Sequence, residues 1–293
     1  MLHNKKIITG LDHKQYEHPF DRMALETLEK TPGLSAVGKY ISKQTIERIY
    51  TVQYTGSNLR ITSENYPHIY DYLDYACKIL DYDSKPELYV QWGFGINACT
   101  IGSERPIIII NSGLIDLCND DEKLFIIGHE LGHIKSNHML YHMMAQLINF
   151  IIDSIPGGNI IGGPLRYALL YWDRMSEFTA DRAGLLCCQN INAATSAFVK
   201  MAGLPQSQYQ TINTESFIQQ AKDFTNLDYE NMNKFFKFVS IIDSTHPWTV
   251  LRASELLKWA DEGGVSSIHP SLLQPYQSLS GGRKIGPTKY LLP

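Results

Sequence analysis

"IIGHELGHIKSNHML", Ile126–Leu140, sets His129, Glu130, His133 and His138 in a run of otherwise mostly apolar or small residues. Read as a helix, residues four apart lie about 40° apart around the axis, so His129 and His133 share a face. Two imidazoles so placed can meet one metal ion at roughly 2.0–2.1 Å. Glu130, about 100° round from His129, is badly placed to join them as a ligand and well placed to reach a water on the metal. That is the division of labour of the HExxH pattern: two ligands and a general base. A chain of this composition carries the pattern by accident on the order of one or two per cent of the time, so the pattern needs support from elsewhere in the chain. Gly128 and Gly132 each cost about 1 kcal/mol of helix propensity relative to Ala, and their smallness suits a crowded site.

His138 and His142 form a second pair at the same spacing on what reads as a continuation of the helix, but the residue after His138 is Met139. They are expected to be solvated or capping histidines. The metzincin continuation would need Gly at position 136 and His at 139, where the chain has Ser136 and Met139.

Upstream, Asn119 and Asp120 are capping candidates, and the acidic residues of "NDDEKL" suit the start of a helix. Before them, "ELYVQW", "NACTIG" and "PIIIIN" read as strands separated by Gly-containing turns. "TVQYTGSNLRIT" reads as a hairpin, and "SENYPHIYDYLDYACKILDY" as a helix with Ser63 as its N-cap. "FDRMALETLEKTPGLSAVGKYISKQTIERIY" reads as two helices broken at Pro32-Gly33. Downstream, "SIPGGNIIGGP" reads as a loop between "MLYHMMAQLINFIID" and the helical "LRYALLYWDRMSEFTADRAGLLCCQ". Helices, a small sheet, then helices: this order predicts an α+β fold with more helix than strand.

A catalytic zinc takes three protein ligands and leaves one position for water. In "RMSEFTADRAG", Glu177 and Asp181 share one face of a helix. Glu177 can bind the metal while Asp181 orients a ligating histidine through its ring N–H. The plainer reading is a solvated acidic face with Arg174 and Arg182 as ion-pair partners; the HExxH upstream favours the ligand.

"HELGH" followed by "SEFTADRAG" resembles the gluzincin metallopeptidases, in particular the family of HtpX-like proteases and CAAX prenyl proteases. "NACTIGSERPIIIINSGLIDL", Asn97–Leu117, is similar to that family's edge strand and the strand-and-turn unit before its active-site helix. "STHPWTVLR", Ser244–Arg252, is similar to its downstream His-Pro motif. The resemblance covers roughly residues 35–262 and implies a zincin-like fold, predominantly helical, with one Zn²⁺ per chain held by His129, His133 and Glu177. It implies Glu130 as general base and His246 as a donor to the oxyanion. Asp181 and Arg252 would support the ligands, with Arg252 acting on the carboxylates or the His246 loop. Asn97, Ala98, Cys99 and Thr100 would form the edge along which an extended substrate adds as a strand. Cys99 is better read as an apolar filler than as a nucleophile.

The implied activity is a zinc metalloendopeptidase acting on peptides or unfolded proteins. The alternative is a catalytically silent zinc-binding scaffold or a chaperone-like interaction protein. The membrane members of the family carry transmembrane helices, and no run here reaches the roughly 18 apolar residues of a span. Prenylated substrates are therefore not carried over. Met139–Asp153, apolar on nearly every face, is expected in the core, with peripheral membrane or partner contact as the alternative. A formal net charge of −4 gives no reason to expect nucleic acid as a partner. Five cysteines without CxxC spacing and an N-terminus without a signal-peptide core point to the cytoplasm. The domain reading is an N-terminal helical extension over 1–34, the peptidase domain over 35–262, and a Gly/Ser/Pro-rich tail over 263–293. That tail either is disordered or folds over the cleft.

Overall fold

The computed structural model describes residues 5–35, 37–38, 46–154, 158–226 and 249–272. In chain order these form α1 (Pro19–Glu29), α2 (Ile46–Ser57), β1 (Leu59–Ile61), α3 (Pro67–Ile79), β2 (Glu87–Gln91), β3 (Ala98–Ile101) and β4 (Ile107–Asn111). They continue as α4 (Ser112–Leu117), α5 (Asp120–Lys135), α6 (Met139–Ser154), α7 (Gly158–Cys188), α8 (Ile191–Met201), α9 (Thr214–Asn226), α10 (Thr249–Asp261) and α11 (Gly264–Ile268). The fold is α+β and mostly helical, with one small mixed sheet. No helix among the described residues is long and apolar enough to cross a membrane.

The sheet runs β1-β2-β4-β3. β2 and β4 are parallel, while β1 and β3 join antiparallel at the two rims. β4 is a continuous isoleucine run because both its faces are covered. Ile108 and Ile110 belong to the main core with α3, α5 and α8, whereas Ile107 and Ile109 pack beneath Tyr54 of α2. β3 is left as the rim strand nearest α5.

α5 starts where its capping chemistry says it should. Asn119 Oδ1 accepts the Glu122 N–H at 3.0 Å, and Glu122 Oε2 accepts the Asn119 N–H at 2.8 Å, a closed capping box. Its end is equally defined. Asn137 takes a left-handed conformation (φ 59°), its N–H reaches Ile134 O and the His138 N–H reaches His133 O. This is a Schellman motif with Asn in the place usually held by Gly. It ends the helix at Lys135 and turns the chain back, so the histidine at 138 does not continue the helix as the spacing suggested.

The centre of the molecule is the crossing of α5 and α7. Phe125, Ile127 and Leu131 are fully buried, each stabilising the fold by about 1.5–3 kcal/mol. The two backbones approach closely at three glycines. A Cβ on Gly128 would stand 2.5 Å from Cys187 Cβ, one on Gly132 2.6 Å from Ala183 Cβ, and one on Gly184 2.6 Å from Phe125 O. Gly128 and Gly132 thus owe their place to the helix contact, and the histidines beside them meet Glu177 of α7. α1 and α6 pack on the upstream part of α7 through Leu28, Met144, Ile148, Leu169 and Trp172. The side chains of α6 described up to Ile148 lie mainly in this core, with Gln146 exposed.

Four sequence expectations are corrected. Thr51–Ser57 is not a hairpin arm but the end of α2. Within it the Thr55 hydroxyl bonds the Thr51 carbonyl at 2.7 Å, which lets a β-branched residue sit in a helix; β1 pairs instead with β2. Ser63 caps nothing: α3 begins at Pro67, whose missing N–H costs nothing in a first turn, after Tyr66 as N-cap. Of "SIPGGNIIGGP", Gly158–Pro164 is already helical, with Pro164 inside α7; residues 155–157 lie outside the described set. The fourth concerns His138 and His142, and belongs to the site below.

Residues expected to be an extension pack into the body. Ile8, Leu11 and Tyr16 join the main core, and Arg182 donates to the carbonyls of Tyr16 and Glu17. At the other end Val265 and Leu272 are buried in the same core; residues 273–293 lie outside the described set.

Candidate metal centre

α5 and α7 bring His129, His133 and Glu177 together. His129 Nε2 and His133 Nε2 are 3.2 Å apart, His133 Nε2 and Glu177 Oε1 3.2 Å, and His129 Nε2 and Glu177 Oε2 3.6 Å. All three residues are buried. Ligands at 2.0–2.1 Å around a tetrahedral ion stand roughly 3.3 Å apart, so this donor set fits Zn²⁺ in spacing and in chemistry. Burial pushes His133 far below the usual imidazole range; Glu177 pulls the other way, and His142 and His129 reinforce the fall. The ring is therefore neutral near pH 7, the form in which a histidine binds metal.

The second layer fixes these groups. His129 Nδ1 lies 3.0 Å from Asp181 Oδ1, so that nitrogen carries the hydrogen and Nε2 presents its lone pair to the cleft. Arg252, from α10, grips Asp181 with Nε on Oδ2 at 2.8 Å and Nη2 on Oδ1 at 2.5 Å. Its Nη1 lies 3.1 Å from Glu177 Oε2, so one guanidinium ties both carboxylates together. Burial would raise the Asp181 carboxyl, but Arg252 and His129 outweigh it and hold the group below its usual range. Burial likewise works against the Arg252 charge, and Asp181 and Glu177 more than restore it. Arg174 and Arg182, the partners in the plainer reading, donate to backbone carbonyls.

Glu130, next to His129 on α5, is buried. Thr100 Oγ1 donates to its Oε2 at 2.7 Å, from β3 across to α5. Thr100 was expected in the substrate track, and its side chain is buried against Glu130 instead. The rest of that track lies at the rim: Asn97 is exposed, and Ala98 and Cys99 are half-buried. The Asn97 carbonyl accepts the Asn111 N–H at 2.9 Å. Burial, with Glu130 nearby, pushes the Cys99 thiol up to about 12, which suits a filler and not a nucleophile. His246 lies outside the described residues.

His138 and His142 are not solvated. The turn at Asn137 folds them over the outer side of His133: His138 Nδ1 is 3.1 Å and His142 Nε2 3.2 Å from His133 Nδ1. Had the helix continued, the two residues would point about 140° and 180° away from His133. Only the left-handed residue brings them back. Asn at 137 was the one available signal, since Asn tolerates that conformation better than most residues.

The sequence profile of Peptidase family M48 matches residues 75–260. The chain is 29% identical over 257 residues to "Plastoglobule-localized metallopeptidase 48, chloroplastic" of Arabidopsis thaliana, covering 87% of this chain and 74% of that one. It is 26% identical over 198 residues to a protease HtpX homolog of Thermococcus kodakarensis, covering 58% of this chain and 66% of the relative. With the protease HtpX of Xylella fastidiosa (strain 9a5c) it shares 25% over 132 residues, 34% of this chain and 46% of the relative. The chain thus spans just under two thirds of one HtpX relative's length and less than half of the other's. No solved structure matches it.

Proposed function

The chain belongs to peptidase family M48, and we propose that it is a zinc-dependent endopeptidase that hydrolyses peptides or unfolded proteins. One observation carries the reading: three buried ligand atoms of His129, His133 and Glu177 sit at tetrahedral spacing, with Glu130 held beside them. A zinc ion held by these three residues would polarise the scissile carbonyl and lower the pKa of a water toward about 7.

The chain's own groups do the rest. Glu130 takes the proton from the attacking water and delivers it to the leaving amine. Thr100 aims the Glu130 carboxylate by donating to Oε2. Asp181 keeps the His129 tautomer, and Arg252 neutralises the local excess of carboxylate. His246 is the proposed donor to the oxyanion, by its place in the His-Pro motif. The substrate lies extended along Asn97–Thr100, where main-chain hydrogen bonds to the rim of β3 hold it and Thr100 takes part only through its backbone.

We place the enzyme in the cytoplasm, where thiols stay reduced, because all five cysteines are free. Residues 35–262 are proposed as the peptidase unit, with residues 5–34 packed onto it. The 263–293 segment is the proposed candidate for covering the cleft, and a truncation before Gly281 that leaves cleavage unchanged would remove that idea.

Metal content by mass spectrometry on the wild type and Glu177→Ala, with casein or a quenched peptide library assayed in parallel, tests the reading. About one zinc per chain, chelator-sensitive cleavage and metal loss in the variant are expected. Unchanged zinc in Glu177→Ala would sink the ligand assignment. Stoichiometric zinc with no cleavage of any peptide would favour the silent scaffold.

A further inference from the structure

The outer nitrogen of His133 faces a second cluster that hydrolysis does not use. His138 Nε2 lies 3.2 Å from Asp21 Oδ2, and His142 Nδ1 lies 2.5 Å from Asp173 Oδ1. A carboxylate fixes the tautomer of the ring it faces, because the nitrogen beside it must carry the hydrogen. With both rings neutral, His138 Nδ1 and His142 Nε2 are then lone pairs, and each lies within reach of His133 Nδ1. A single hydrogen on His133 Nδ1 can serve only one of them. Ser176 Oγ is 3.3 Å from His142 Nε2 but commits its hydrogen to the Asp173 carbonyl at 2.7 Å. No other donor among the described residues reaches either lone pair. One buried acceptor is left over, in a pocket where His138 is only 4% exposed.

We propose that His133 Nδ1, His138 Nδ1 and His142 Nε2 form a second divalent-metal site, which shares the His133 ring with the site assigned to hydrolysis. One ring nitrogen from each of the three residues lies within 4.8 Å of the others, and the separations of 3.1 and 3.2 Å from His133 Nδ1 match the spacing of ligands around one tetrahedral ion. An all-imidazole donor set selects Zn²⁺, Cu²⁺ or Ni²⁺ over Mg²⁺ or Ca²⁺. Asp21 and Asp173 stand behind their histidines in the arrangement that orients metal-bound imidazoles and makes them better donors. Asp21 is itself anchored, accepting from Trp172 Nε1 at 3.0 Å and Thr179 Oγ1 at 2.5 Å.

Filling this site moves the Nδ1 hydrogen of His133 to solvent as one proton, and the resulting imidazolate bridges two dications. That proton makes the second site weaker than the first and more so at lower pH. Both carboxylates of the cluster lie on the far nitrogens, so the site has no base beside its ion and no part in hydrolysis. Its occupancy at metal excess divides the donor strength of His133 between two ions and slows turnover.

The test is titration of the metal-free full-length chain with Zn²⁺ against a chromophoric chelator at pH 8, with proton release followed in weak buffer. Two equivalents are expected in the wild type, the second releasing one proton. One equivalent should remain in His142→Ala and one in Glu177→Gln. Asp173→Asn, nearly isosteric and safer for folding, should weaken the second step by about 10–100-fold. Loading with Co²⁺ adds a spectroscopic check, because a shared ring couples the two ions magnetically. A single equivalent in the wild type, lost in Glu177→Gln and untouched in His142→Ala, would overturn the second site and leave the peptidase reading intact. A second equivalent insensitive to both His142→Ala and Asp173→Asn would overturn it too. A single equivalent that survives Glu177→Gln but not His142→Ala would keep this site and remove the other. No bound metal would remove both.

Discussion

The α5–α7 crossing and the β3 rim lie side by side and are built on opposite terms. At the crossing, helix backbones touch through glycines and every proposed ligand has its rotamer fixed by a buried partner. At the rim, a four-residue strand is paired along one edge only among the described residues. The loop leading into it holds Trp92 and Phe94 in the open, 79% and 80% exposed. Chemistry needs sub-ångström placement, which packed helices supply; accepting varied sequences needs backbone hydrogen bonds and little else. The Thr100 side chain joins the two, from the strand to Glu130.

Glu130→Gln strikes the crossing at the proposed base, and should lower kcat by about 10²–10⁴-fold with the metal retained, read by steady-state cleavage alongside metal analysis. Asp181→Asn leaves the three ligand atoms and removes the charge that orients His129. Zinc affinity should fall by about 10–100-fold in competition with a chelator. Gly132→Ala forces a methyl against Ala183; overpacking of about 1–3 kcal/mol outweighs the gain in helix propensity, so the melting temperature should drop by a few degrees. A rise in melting temperature would mean the helices are free to part, and the contrast with the rim would fail. Asn97→Ala, at the rim, should change kcat/KM by only a few fold, the worth of a single exposed hydrogen bond. A loss approaching that of Glu130→Gln would show the rim to be as exacting as the crossing.

Acid provides a graded test of the same contrast. Burial opposes ionisation of Asp181 and Asp21, yet Arg252 and His129 for the first, and His138, Thr179 and Trp172 for the second, hold both carboxyls below their usual range. Groups depressed on folding contribute stability that is complete above the unfolded value near 4 and is lost as pH falls through the folded values. Thermal stability should therefore decline below about pH 4, and Asp181→Asn should flatten that decline.

The sequence made the local geometry readable and left the long-range geometry to inference. His129, Glu130 and His133 could be placed on one helix because their spacing is shorter than the element that carries them. The strands fell within a residue or two of their observed bounds because isoleucine runs and glycine turns are local signals. Glu177 and Arg252 could be nominated only through motifs, since nothing in the 43 or 118 intervening residues encodes their approach to His133. The bond from Thr100 to Glu130 was invisible in the sequence because it crosses from strand to helix, 30 positions away. His138 and His142 were misplaced by one residue: reading Asn137 as helical sends both away from His133, and reading it as left-handed returns them.

Cys187 sits where α7 meets Gly128, and burial pushes its thiol far above the usual range, so it is inert while the helices stay together. A thiol reagent can label it only when that crossing opens. The same opening would draw Glu177 and Asp181 away from His129 and His133. The molecule therefore carries its own clock for the event that dismantles its centre: alkylation of Cys187 and disassembly of the ligand set should run at one rate.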